Sequence, residues 1–136
     1  MEVLLGAATV KEFDMRRLFF TILSGVLTAG PAFAAEGDPA AGKMAFDARC
    51  GVCHSLDATM KKSGPHLAGI VGRTAGAVEG FKYTKAVKSS GITFDQATLD
   101  AFLTNPGQMV PGTSMVIRVP DAKARADIIA YLSSAH

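Results

Sequence analysis

Two cysteines three positions apart, Cys50 and Cys53, with His54 directly after them, constrain this chain more than any other feature. Lying so close, its only two cysteines cannot staple distant parts of a fold, and a disulfide across so small a loop would remove little unfolded-chain entropy. A redox-active dithiol of the thioredoxin kind needs a βαβ setting, and no stretch of this chain reads as a strand. A tetrahedral zinc site needs about four ligands; beyond these three side chains, only His66 and His136 add imidazoles. The reading that uses all three is attachment of c-type haem. Thiols at i and i+3 reach two vinyl groups on one edge of the ring, and the next residue offers an imidazole to the iron.

Ahead of this motif lies a leader. Arg16 and Arg17 precede an uncharged stretch over 18–30, and Ala32-Phe33-Ala34 supplies the small-x-small pattern that signal peptidase cuts. The stretch is shorter than the roughly 20 residues that span a bilayer, and Gly30-Pro31 interrupts it. Residues 1–34 are expected to form the leader, with 15–34 as signal peptide, Met15 as the start and 1–14 as a mis-started extension. Residues 35–136 then form one domain exported to the periplasm, or held at the membrane if the leader is retained. Fourteen Lys and Arg against twelve Asp and Glu leave a net charge of +2, too small and too dispersed to mark a nucleic-acid or anionic-membrane surface.

The domain reads as all-α, three or four helices joined by long loops. Asp38-Pro39 opens a helix expected to run to about Arg49. From 51 to 80, recurring glycines and Pro65 mark a long looped segment, a length that usually means function or something large to wrap around. A short capped helix is expected over 84–90, ending at Gly91. Thr93-Phe94-Asp95-Gln96 reads as a capping box, followed by the apolar stripe Leu99, Phe102 and Leu103 until Asn105-Pro106 stops the helix. Asp121 caps the last helix, with Ala124, Ile128, Tyr131 and Leu132 on one face. A domain of about a hundred residues buries a limited core and often needs a cofactor to complete it.

The iron's second ligand must come from elsewhere. Met44, Met60, Met109, Met115, His66 and His136 are the candidates. Met44 and Met60 lie on the attachment side of the motif, and Met commonly fills gaps. Met115 follows Pro111-Gly112-Thr113-Ser114, an irregular loop far from the cysteines in sequence and able to fold over the other haem face. It is the expected ligand, with Met109 its main rival and His66 a more distant one.

These residues resemble class I c-type cytochromes, and among them the mitochondrial cytochrome c and bacterial cytochrome c2 branch. The resemblance runs from about Ala40 to Tyr131. It is carried by Gly42 with Phe46, Cys50-Gly51-Val52-Cys53-His54, Gly64-Pro65-His66-Leu67, Gly69-Ile70-Val71-Gly72-Arg73, Gly80-Phe81-Lys82-Tyr83-Thr84, Gly91-Ile92-Thr93-Phe94, Asn105-Pro106, Pro111-Gly112-Thr113-Ser114-Met115 and Ile128-Ile129-Ala130-Tyr131-Leu132. It implies the cytochrome c fold, with crossed terminal helices and Gly42 letting the last helix approach near Tyr131. It also implies one covalent haem c, with His54 and Met115 as axial ligands to the iron. Pro65 would accept the proximal imidazole N–H, and Arg73, Tyr83 and Thr113 would serve the haem propionates. Three departures remove polar groups: Phe94 stands where relatives carry a tryptophan, Phe102 replaces a tyrosine and Val87 an asparagine.

The resemblance implies a soluble, monomeric one-electron carrier rather than an enzyme, shuttling between respiratory or photosynthetic redox complexes. Two protein ligands leave no open position for substrate at the iron. Arg49, Lys61, Lys62, Lys88, Arg118 and Lys123 form only part of the lysine ring through which such carriers dock, so steering by an acidic partner is expected to be moderate. Two other readings share these residues: a dedicated haem c subunit of a periplasmic dehydrogenase or oxidase, and a ligand-binding or peroxidase-like haem protein should Met115 not coordinate.

Overall fold

The computed structural model describes residues 36–135; the leader expected over 1–34 and His136 lie outside the described residues. Helix α1 spans Pro39–Arg49. Asp38 caps it by accepting from the Ala40 amide, and Pro39 stands in the first turn, where its missing N–H costs nothing. Helix α2, Lys85–Ser89, is capped by Thr84, whose hydroxyl accepts from the Val87 amide. Helix α3 is Gln96–Thr104, α4 is Pro106–Met109 and α5 is Ala122–Ser134, the last capped by Asp121 as expected.

Three features depart from the sequence reading. A two-residue antiparallel ribbon pairs β1, Arg73–Thr74, with β2, Thr93–Phe94. It is prolonged by Gly72 N–H to Phe94 O and Ala75 N–H to Ile92 O, both 2.7 Å. Strands this short carry no legible alternation. The ribbon also moves a cap: Thr93 is spent in β2, and Asp95 caps α3 by accepting from the Thr98 amide. Asn105 does end α3, but Pro106 then opens α4, with the Asn105 side chain accepting from the Gln108 amide.

The core gathers where α1, α3 and α5 meet. Phe46 of α1, Leu99 and Leu103 of α3, and Ile128, Ile129 and Leu132 of α5 are buried together with Ile70 and Val119. Phe46 meets Tyr131 edge to face, with ring centroids 5.6 Å apart, an arrangement that the aromatic quadrupole favours. Gly42 lets the α1 backbone lie against α5: a Cβ there would sit 2.5 Å from the Asp127 carbonyl carbon and 2.9 Å from Tyr131 Cβ. Among the described residues no helix is long and apolar enough to cross a membrane.

One carboxylate fastens the two ends of the fold. Asp127, buried on α5, accepts from the Asp38 amide at 2.7 Å and from Lys123 Nζ at 2.7 and 2.8 Å. The Lys123 ammonium first, and then the Asp38 amide, hold its pKa below the ordinary carboxylate value. A folded-state pKa below the unfolded one gives stability that is present above about pH 4 and is lost as pH falls through the folded value. Asp127→Asn is therefore expected to lower the thermal midpoint at pH 7 and to flatten the acid limb of the stability profile. Melting curves from pH 3 to pH 7 check this, and an acid limb identical to that of wild type would refute it.

Candidate functional site

The cysteine motif grows out of the end of α1. Cys50 N–H and Gly51 N–H both reach back to Phe46 O, at 2.7 and 2.8 Å, and the Cys53 and His54 amides turn onto Cys50 O at 3.0 and 2.8 Å. This tight turn brings both cysteines and His54 to the wall of one cavity. Burial, above all, pushes the Cys50 thiol pKa up, with Arg49 opposing and Cys53 adding to the rise. A thiol held in its neutral form makes a poor redox nucleophile at neutral pH.

His54 is oriented from behind. Its Nδ1 lies 2.7 Å from the Pro65 carbonyl oxygen, which can only accept, so Nδ1 carries the hydrogen and the Nε2 lone pair is left free. Burial is the largest influence on this ring and holds its pKa below the ordinary value; the Pro65 contact opposes it and nearby Lys62 adds to it. The imidazole is thus neutral at pH 7 and able to act as a metal ligand. Gly64 is what allows the Pro65 loop so close. A Cβ at Gly64 would lie 2.5 Å from His54 Cε1 and 2.7 Å from Nδ1. The Gly-Pro pair was legible in the sequence, but this role for Gly64 was not.

The cavity has a volume of about 390 Å³. All eight residues singled out from the sequence, Cys50, Cys53, His54, Pro65, Arg73, Tyr83, Thr113 and Met115, line it. Of the rival ligands, Met44, Met60, Met109 and His66 are not among the lining residues. Much of the remaining wall is apolar, including Leu67, Ile70, Phe81, Leu99 and Ile128, so the chamber suits a large flat apolar group. Phe94 and Phe102 pack edge to face there at 5.3 Å, with Val87 on the same wall.

The polar groups of the lining point to negative charge on that group. Arg73, in β1, donates to Ala68 O at 2.9 Å and to His66 O at 2.7 Å. Burial lowers its pKa, and Tyr83 raises it. Both partners are neutral carbonyls, so among the described residues this half-buried guanidinium has no carboxylate to balance it, and an anion arriving in the cavity would. Thr113 Oγ1 accepts from the Met115 amide at 3.2 Å, leaving its own hydrogen to donate. A thiol pair, an oriented imidazole, a thioether and an unbalanced cation around one apolar chamber fit a haem with its propionates.

Comparison with known proteins agrees with this chemistry. The family model for cytochrome c matches residues 39–136. Cytochrome c2 of Rhodomicrobium vannielii is 39% identical over 124 residues, covering 90% of this chain and 98% of that protein. Cytochrome c of Tetrahymena pyriformis is 46% identical over 100 residues, covering 73% and 90%. The solved structure of cytochrome cH from Methylobacterium extorquens superposes with a TM-score of 0.67 at 44% identity, covering 72% of this chain and 99% of that one. The chain belongs to the cytochrome c family: it is an electron carrier with covalently held haem c, and not an enzyme.

Proposed function

We propose that Cys50 and Cys53 hold the haem through thioether links, that His54 and Met115 bind its iron, and that the exported protein carries single electrons between redox complexes in the periplasm. The observation that carries this reading is the convergence of the eight residues on one cavity whose lining excludes the described rival ligands. Bound haem supplies the one-electron couple. His54 presents Nε2 because Pro65 fixes Nδ1–H, and the Met115 thioether favours the reduced iron and raises the potential. Arg73, Tyr83 and Thr113 receive the propionates. Val116 and Ile117, 79% and 44% exposed, line the mouth of the cavity and give a docking partner an apolar contact there.

The test is the visible spectrum of oxidised and reduced protein, wild type and Met115→Ala, made with haem-attachment machinery. Wild type is expected to show the sulfur-to-ferric-iron band and to leave carbon monoxide unbound. Met115→Ala is expected to lose that band, bind carbon monoxide when reduced and have a lower potential. A wild type without the band, or a variant that keeps it, overturns the ligand assignment.

The apolar wall formed by Val87, Phe94 and Phe102 disfavours the extra charge of ferric iron. Phe102→Tyr, which returns a hydroxyl to that wall, is expected to lower the midpoint potential. Voltammetry of the two proteins checks the sign, and an upward shift would count against it.

A further inference from the structure

The segment that bears Met115 is fastened only at its ends. Thr113 N–H reaches Val110 O at 3.0 Å, and Val119 N–H reaches Leu103 O of α3 at 2.8 Å. Between them, among the described residues, the 114–118 backbone makes one hydrogen bond, from the Met115 amide to the Thr113 hydroxyl. Val116, Ile117 and Arg118 are exposed. Such a stretch has little local stability of its own and depends on its anchors.

The far anchor is reinforced by one side chain. Arg125, in the second turn of α5, donates from Nη1 to Val119 O and to Pro120 O, both at 2.9 Å, and from Nε to Asp100 Oδ1 of α3 at 2.7 Å. Its side chain is 11% exposed, whereas that of Asp100 is 47% exposed. One guanidinium thus joins α3, α5 and the exit of the Met115 segment. Only a planar fork does this: a lysine could satisfy the carboxylate or the carbonyls, not both faces at fixed angles. Removing it leaves two carbonyls and a carboxylate without their partner, at the point where the segment turns into α5.

We propose that Arg125 is a positioning residue for Met115, a latch that sets how often the 113–119 segment opens and so how firmly the thioether stays on the iron. The proposal rests on Met115 being the ligand. Loss of a charge-assisted bond and its companion carbonyl contacts corresponds to an opening roughly ten- to a hundredfold more frequent.

The test compares the haem-bound wild type with Arg125→Gln, Arg125→Lys and Asp100→Asn. Two quantities are read: hydrogen exchange at the Val119 amide against the amides of α1, and the urea concentration at which the sulfur-to-iron band disappears against that at which helical circular dichroism is lost. Arg125→Gln is expected to speed Val119 exchange tenfold or more while sparing α1, and to lose the band well before the helices. Arg125→Lys should recover part of this, and Asp100→Asn, which keeps the carbonyl contacts and the fold, should show a smaller loss of the same kind. Should Arg125→Gln not fold, Asp100→Asn and Arg125→Lys decide the matter by the same comparison. Unchanged Val119 exchange, or band and helix signals falling together with all amides accelerated alike, overturns the latch. A wild type without the band sinks the ligand assignment instead, so the two failures are told apart.

Discussion

The double variant Cys50→Ser/Cys53→Ser is expected to emerge colourless and without stable helical structure. Serine matches cysteine in shape but forms no thioether link, so the variant tests whether the fold stands without covalent attachment. The reason for expecting collapse is the size of the chamber. A chain denied its haem would have to maintain a hollow of about 390 Å³ beside Leu99, Leu103, Ile128 and Leu132. Left empty or wetted, such a hollow strips these side chains of buried apolar contact, and a domain's small net stability leaves little to offset that loss. The same residues form the floor of the hydrophobic core, so loss on one side removes the platform on which α1 and α5 meet. Far-ultraviolet circular dichroism and a denaturant titration check this. A cooperative helical transition in the colourless variant would show that the chain carries its own core.

Gly42→Ala is expected to be strongly destabilising although it adds a single heavy atom. Among the described residues, Gly69, Gly72, Gly76, Gly80, Gly91 and Gly112 all have positive φ and serve turns. Gly42 is helical and needed for clearance, since its missing Cβ would meet the carbonyl group of Asp127 and the Cβ of Tyr131. Neither obstacle can change rotamer. Overpacking elsewhere costs about 1–3 kcal/mol; here, where two backbones must separate, about 3 kcal/mol or more is expected, a fall in melting temperature of roughly 12 °C or more. Ala is otherwise the better helix former, by about 1 kcal/mol, so propensity predicts the opposite sign. Thermal unfolding of the haem-bound protein decides between the two, and an unchanged or raised midpoint would show that α1 and α5 do not approach as closely as described.

Features held by contiguous residues were legible in the sequence. The caps at Asp38, Thr84 and Asp121 act within their own first turns, and the Cys50-Cys53-His54 motif states its chemistry in five positions. Met115 was legible from the irregular loop before it, whereas Pro65, Arg73, Tyr83 and Thr113 came only from the family resemblance, because no local pattern links residues so far apart. What escaped was long-range or too short to show a period. Arg125 and Asp100 lie 25 positions apart. Asp127 is a carboxylate buried beside Ile128, where charge is not expected; Lys123 balances it from one turn away, and the Asp38 amide that completes its site lies 89 positions off. Thr93 misled because its type suits a cap, yet its backbone was taken by Thr74. Asn105-Pro106 was read as an ending when it is also a beginning, since proline tolerates a first turn as readily as it forbids an interior one.

Packing the first helix of the domain on the last has a temporal meaning. Until residues 122–134 have been made, Phe46 and the bare flank at Gly42 have nothing to rest against, and bringing the ends together must await the whole intervening length. The thiols at the end of α1 therefore stay reachable for as long as α5 is undocked, and closure comes last, like a lid fitted only after the contents are in.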